Sequence, residues 1–323
     1  MGLIQNISER LKGMDAKIVF PEGEDKRILQ AVKTLNDEGI IHPIVLGKRS
    51  EVEKTAKELS IDLSSLDFRD VETDPMVEEL LKAFVERRKG KVTEEEAREL
   101  LKVPNYFGTL LVYKGYADGM VSGAVGTTGD TVRPALQIIK TKEGISNVSG
   151  SFFMIREDEM YLMADCAITI APDEDQLAQS AVASYETARQ FGMDPKIAML
   201  SFSTKGSASS PEVDKVANAT KKAKAMNPDM KVDGEFQFDA AFVPAVGEKK
   251  APGSDIAGHA NVFIFPSLEA GNIGYKIAQR LGGFEAVGPI LQGLAKPVND
   301  LSRGCNTDEV VSLAKITAAQ AKF

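Results

Sequence analysis

Short β-branched and apolar runs alternate along this chain with longer stretches of helical periodicity, and that alternation confines it to few architectures. Strands are expected at 17–20, 44–46, 119–122, 161–166, 197–201 and 262–265. Helices are expected at 25–38, 76–88, 176–190, 213–225, 273–281 and 307–321, with a short amphipathic one around Ile4, Ile7 and Leu11. A strand-helix-strand order of this kind predicts α/β architecture: mostly parallel sheets with helices on both faces. Ligands of such folds gather at the loops leaving the carboxyl ends of strands. A chain of 323 residues is long enough for two domains, and the stretch 140–149, rich in charge and glycine, is the expected crossing between them.

Composition narrows the function classes. The net charge of −8 argues against a broad nucleic-acid surface, so an anionic ligand has to be held by local arginines. No apolar run approaches the roughly 18 residues of a membrane span, and the first residues lack a signal-peptide core, which sets the expectation of a cytoplasmic protein with no membrane partner. Asn6 stands where a myristoylation signal needs Ser or Thr. Cys166 and Cys305 are the two cysteines, and without C-x-x-C or Cys/His spacing they encode neither a disulfide framework nor a zinc site. His42 and His259 stand far apart with no G-x-S-x-G elbow to support a Ser-His-Asp machine.

Two loops carry the chemistry. K-P-V-N-D-L-S-R-G-C-N-T-D-E at 296–309 sets Ser302 and Arg303 side by side before a glycine, with Asp308 and Glu309 opening a helix. Arg303 offers a planar fork for phosphate or carboxylate and Ser302 a hydroxyl. The competing reading has Asn306 or Thr307 capping the helix while the two carboxylates complement its dipole. The second loop, V-S-G-A-V-G-T-T-G-D-T-V-R-P-A-L at 121–136, follows a strand and leads into a helix near Asp130. Its backbone N–H groups are a candidate phosphate cradle, with Thr127 and Thr128 as further donors and Arg133 as the charge, against the alternative of a flexible turn. It lacks the G-K-[ST] ending and the dinucleotide glycine spacing, so it supports neither ATP nor NAD binding.

Those motifs, joined by V-F-P-E-G-E-D-K-R at 19–27, A-D-C-A-I at 164–168, S-F-S-T-K-G-S-A at 201–208, D-G-E-F-Q-F-D-A-A at 233–241 and G-N-I-G-Y-K-I-A-Q-R-L at 271–281, make the whole chain resemble phosphate acetyltransferase. The resemblance implies reversible acetyl transfer between acetyl phosphate and coenzyme A, with CoA as substrate, no tightly bound cofactor and no metal at the reacting centre. It also implies two three-layer α/β/α domains, 1–145 with 297–323 and 146–296, an interdomain cleft and a homodimer. Rival readings are an enzyme for a longer acyl group and a non-catalytic module sensing acetyl-CoA or acetyl phosphate.

Carried over position by position, the resemblance places Ser302 beside the thiol, and Arg303 and Arg133 on the phosphate and developing charge. Arg87 contributes from the helix at 76–88. The family's base is an aspartate seven residues after the serine; Glu309 occupies that position and Asp308 lies one residue earlier. Lys276, Gln279 and Arg280 share helical spacing that suits either substrate or solvent, and Lys276 joins Arg87, Thr127 and Thr128 as a candidate substrate contact. Cys166, in an apolar strand, reads as a small hydrophobe rather than a nucleophile.

Overall fold

The structure, a computed structural model, describes residues 2–323. The chain forms two compact units: the part through Lys140 together with Leu294–Phe323, and Thr141–Gly293. In chain order the first unit begins α1 (Leu3–Leu11), β1 (Ala16–Phe20), α2 (Lys26–Glu38), β2 (Ile41–Gly47), α3 (Arg49–Glu58), β3 (Asp67–Asp70), α4 (Val77–Arg88), α5 (Glu94–Leu101), α6 (Pro104–Lys114), β4 (Gly119–Ser122) and α7 (Thr128–Ile138). The second unit holds β5 (Ser149–Arg156), β6 (Glu159–Ala164), α8 (Glu174–Gln190), β7 (Ile197–Leu200), α9 (Pro211–Met226), β8 (Val232–Phe236), α10 (Phe238–Phe242), α11 (Pro244–Lys250), β9 (Val262–Ile264), α12 (Leu268–Arg280) and β10 (Glu285–Gln292). The chain then returns to the first unit with β11 (Val298–Asp300) and α13 (Thr307–Lys322).

The first sheet has the order β11-β4-β1-β2-β3, and all of its pairings are parallel. Asp300 pairs with Ser122, and Val19 with Met120, so the carboxyl ends of β11, β4 and β1 finish side by side. Ile18, Phe20, Phe84 and Phe107 are fully buried in this unit. Helix α13 covers β4 closely: a Cβ on Gly119 would lie 2.7 Å from Thr317 Cγ2. The Asn299 side chain donates to the Thr317 hydroxyl, and buried Lys315 pairs with Glu38 of α2 at 2.8 Å, which fixes the returning segment at two points.

The second sheet has the order β10-β5-β6-β9-β7-β8; it is parallel from β6 through β8 and antiparallel at β10-β5-β6. Its core gathers Phe152, Met154, Cys166, Phe236 and Phe263. The expected strands and helices all appear, most of them with shifted ends. Helix α6 escaped the periodicity reading because Asn105 through Val112 are all buried, and a helix buried on every face along that stretch has no amphipathic stripe to detect.

Candidate active site

Three loops leave the adjacent carboxyl ends of β1, β4 and β11: residues 21–25, 123–127 and 301–306. The glycine loop is organised from within the chain. Glu22 Oε2 accepts from the backbone N–H groups of Gly123 (2.9 Å) and Ala124 (2.8 Å), and Oε1 from Val125 (3.0 Å) and Gly126 (2.9 Å). The four donors that the sequence offered as a phosphate cradle are therefore occupied by a buried carboxylate. Their dipoles converge on one negative group, as they would on an anion, but that group belongs to the protein.

Gly123 lies at φ 110°, and a Cβ there would come within 2.4 Å of Asp300 Oδ1, so both backbone and space demand glycine. Asp300 accepts the Thr128 hydroxyl on Oδ2 at 2.7 Å, while its buried Oδ1 has no hydrogen-bond partner among the described residues. Burial pushes the Asp300 carboxyl above its ordinary value, against the lowering effect of the Thr128 and Thr131 hydroxyls, and Glu22 and Asp130 push in the same direction as burial. Thr127 donates from both its N–H and its hydroxyl to Asp130 Oδ2, which anchors the start of α7. Arg133, exposed on α7, folds back over that first turn: a Cβ on Gly129 would lie 3.8 Å from its Nη2 and 3.6 Å from Thr127 Oγ1.

Across from this loop, Leu301 N–H donates to the Ser122 carbonyl, and Ser302 forms a tight turn: its Oγ accepts from Gly304 N–H at 3.2 Å and its carbonyl from Cys305 N–H at 2.9 Å. Ser302 and Arg303 are exposed, and the Arg303 guanidinium has no partner among the described residues. That leaves a free cation beside an exposed hydroxyl. Asn306 caps α13 in a box with Glu309: Glu309 N–H donates to Asn306 Oδ1, and Asn306 N–H donates to Glu309 Oε2, each at 2.9 Å.

Two further sequence candidates are carried outside these three loops, by α4 and α12. Arg87 donates from Nε to the Ile138 carbonyl (2.6 Å) and from Nη2 to that of Ile139 (3.1 Å), so it closes the C-terminal end of α7. At 1.5 Å per residue that end is about 15 Å along the helix from Thr128. Lys276 is exposed on α12 in the second unit, above the Tyr275 ring. Both cysteines are buried thiols: burial, reinforced by Asp165, raises Cys166 well above its ordinary value, and burial lifts Cys305 to about 11 despite Arg27. Among the described residues no group of three or more His, Cys, Asp or Glu is placed to hold a metal ion.

Sequence reasoning passed over Glu22, Asp25, Arg27 and Asp300. All four sit inside motifs that had drawn notice for other reasons. Charged residues at the carboxyl end of a buried strand, or within the few residues that follow it, were the available signal, because they stand where α/β folds build sites.

With that geometry in place, the likeness to known proteins is decisive. The profile of the family described as phosphate acetyl/butaryl transferase matches residues 2–318. The chain belongs to this family. It is 62% identical over 319 residues to the phosphate acetyltransferase of Bacillus subtilis (strain 168), covering 99% of each chain. It is 58% identical over 323 residues to that of Staphylococcus aureus (strain MRSA252), covering 99% of this chain and 98% of the other. The crystal structure of a phosphotransacetylase from Streptococcus pyogenes superposes with a TM-score of 0.96 at 55% identity, over 99% of this chain and 98% of that one. A branched-chain phosphotransacylase from Enterococcus faecalis V583 shares the fold at 20% identity with a TM-score of 0.68. Family membership thus rests on the full length of both units, including the returning segment with Ser302 and Arg303.

Proposed function

We propose that this chain is a phosphate acetyltransferase, moving an acetyl group reversibly between acetyl phosphate and CoA by direct attack of the CoA thiolate in a ternary complex. The observation that carries the reading is the exposed Ser302–Arg303 pair, with its free guanidinium, in a chain 62% identical end to end to a phosphate acetyltransferase. The thiol loses its proton to Glu309, sulfur bonds to the carbonyl carbon, and the carbon–oxygen bond to phosphate breaks with the electron pair leaving on phosphate. Arg303 and Arg133 neutralise the departing phosphate, and Ser302 donates toward the carbonyl oxygen as it becomes an oxyanion. Thr127, Thr128, Arg87 and Lys276 contact the substrates in this reading.

Cytoplasmic operation as a homodimer, with CoA as substrate and no tightly bound cofactor, belongs to the same proposal. No described helix is long and apolar enough to cross a membrane. Following CoA consumption with acetyl, propionyl and butyryl phosphates tests the function. Acetyl phosphate should react fastest; a preference for butyryl phosphate would reassign the acyl group, and no turnover of any of them would leave a sensing module.

The base has a clean test because glutamine also completes a capping box. Glu309→Gln should keep the Asn306 bonds while turnover falls by about 10²–10⁴, the usual contribution of a general base, and the residual rate should climb with pH as the thiol ionises unaided. Asp308→Asn should cost little. A nearly fully active Glu309→Gln enzyme removes Glu309 from the mechanism.

A further inference from the structure

The Arg27 side chain, in the first turn of α2, has five guanidinium N–H groups and five oxygen acceptors. Nη1 donates to the carbonyls of Arg303 (2.7 Å) and Cys305 (3.0 Å). Nη2 donates to the carbonyl of Ala124 (2.8 Å) and to Asp25 Oδ2 (2.8 Å), and Nε donates to Asp25 Oδ1 (3.0 Å). One rigid fork therefore ties the loop after β1 to the glycine loop after β4 and to the Ser302–Arg303 turn after β11. Asp25 is held in turn: its Oδ1 also accepts the Arg27 backbone N–H as the cap of α2, and although burial raises its carboxyl, the Arg27 hydrogen bonds and charge together with the Ile28 N–H keep it below the ordinary value.

We infer that Arg27 is a positioning residue for acyl transfer: without touching substrate, it sets where the Ser302–Arg303 turn stands relative to the glycine loop and Arg133. Every donor of its guanidinium is already engaged within the chain, so it has none to offer a phosphate. The bonds it makes to the turn go to backbone carbonyls, which fix the main chain from which Ser302 and Arg303 project. Lysine cannot replace it, because a point ammonium with three donors cannot span three segments in one plane. This role rests on the acetyl-transfer reading above.

Arg27→Lys and Arg27→Ala test it. Each should lower kcat by about 10–100-fold, within the range caused by misplacing catalytic groups by about 1 Å, and leave KM for CoA within about threefold. Guanidinium ion at about 50 mM, against sodium chloride at equal ionic strength, should restore part of the Arg27→Ala rate by refilling the vacated fork site. Amide hydrogen exchange in the 299–306 segment should quicken in both variants while the remainder of the first unit keeps its protection. Wild-type kcat in Arg27→Ala overturns the inference, as does a loss that guanidinium does not relieve and that tracks the unfolded fraction. If the wild-type protein itself turns over no acyl phosphate, the acetyl-transfer reading fails separately; exchange at 299–306 then decides whether Arg27 holds the turn, and unchanged exchange overturns it.

Discussion

At the residue scale, this fold repeatedly answers clustered backbone N–H groups with a carboxylate of its own. Glu22 gathers four such groups from the glycine loop, and Asp165 gathers those of Gly150, Ala167, Ile168 and Thr169. Glu22→Gln would turn an amide NH₂ toward two of those donors. Leaving buried donors unmet costs about 1–3 kcal/mol each, so this variant should lose roughly 2 kcal/mol or more of stability, read as a lower urea midpoint. An unchanged midpoint would show that Glu22 does not organise the loop. Asp300 should behave in the opposite way. Burial raises its carboxyl, so the stability it contributes is present below the ordinary carboxylate range and is lost as pH rises through its raised value. Asp300→Asn, which can still accept the Thr128 hydroxyl, should therefore melt no lower than wild type at pH 8. A lower melting temperature there would refute the burial argument. The two thiols are equally constrained: initial-rate plots against both substrates should intersect, and Cys166→Ala should keep turning over. Parallel plots, or an acetyl group trapped on Cys166, would overturn direct transfer.

At the element scale, the signals that proved legible were caps and amphipathic stripes. Helix α13 starts at Thr307 as read, because Asn306 and Glu309 spell a capping box, and the cap of α2 is Asp25 at the predicted start. Helix α7 starts at Thr128, two residues before the expected Asp130, since Asp130 is the box partner that reaches back to Thr127. Strands β3 and β8 went unread for a different reason: D-F-R-D and V-D-G-E-F set charges where an apolar run is expected, and partners such as His42 for Asp67 and Lys205 for Asp233 stand 25 and 28 residues away. In β8, Asp233 accepts from Lys205 at 2.7 Å, Lys224 at 3.0 Å and Ser254 at 2.6 Å. Burial alone would raise its carboxyl, but these partners together bring it down to about 2. Its folded value lies below the ordinary one, so its stabilisation is present above about pH 4 and disappears as pH falls toward 2. Asp233→Asn should thus be less stable than wild type at pH 6, with the gap closing between pH 4 and 2. A gap independent of pH would mean that charge is not what Asp233 contributes.

At the scale of the whole molecule, the decisive feature is that the first unit is made from both ends of the chain. Strand β11 supplies the edge beside β4, and α13 buries Val310, Leu313, Ala314, Ile316 and Ala318 in that unit. A chain ending at Gly293 would expose β4 as an unpaired edge and strip the helix from the sheet. It should lose the folding transition of the first unit, whereas residues 141–293 alone retain every strand of the second sheet and should fold. Circular dichroism and urea unfolding of the two pieces check this; a disordered 141–293 fragment would show that the second unit depends on the first.

Sequence by itself determined the α/β class, most helices and the presence of a Ser302–Arg303 turn, because periodicity, caps and strand-end loops are local properties. It also carried the family resemblance, through motifs spread along the full length. What the tertiary structure decided is how those motifs divide their labour. Glu22 and Ala124, Arg27 and Arg303, and Thr128 and Asp300 stand 102, 276 and 172 residues apart, so no local pattern states that they bond. Only the strand order β11-β4-β1 brings the three loops together, and it turns an apparent phosphate cradle into a carboxylate-filled support for the arginines beside it.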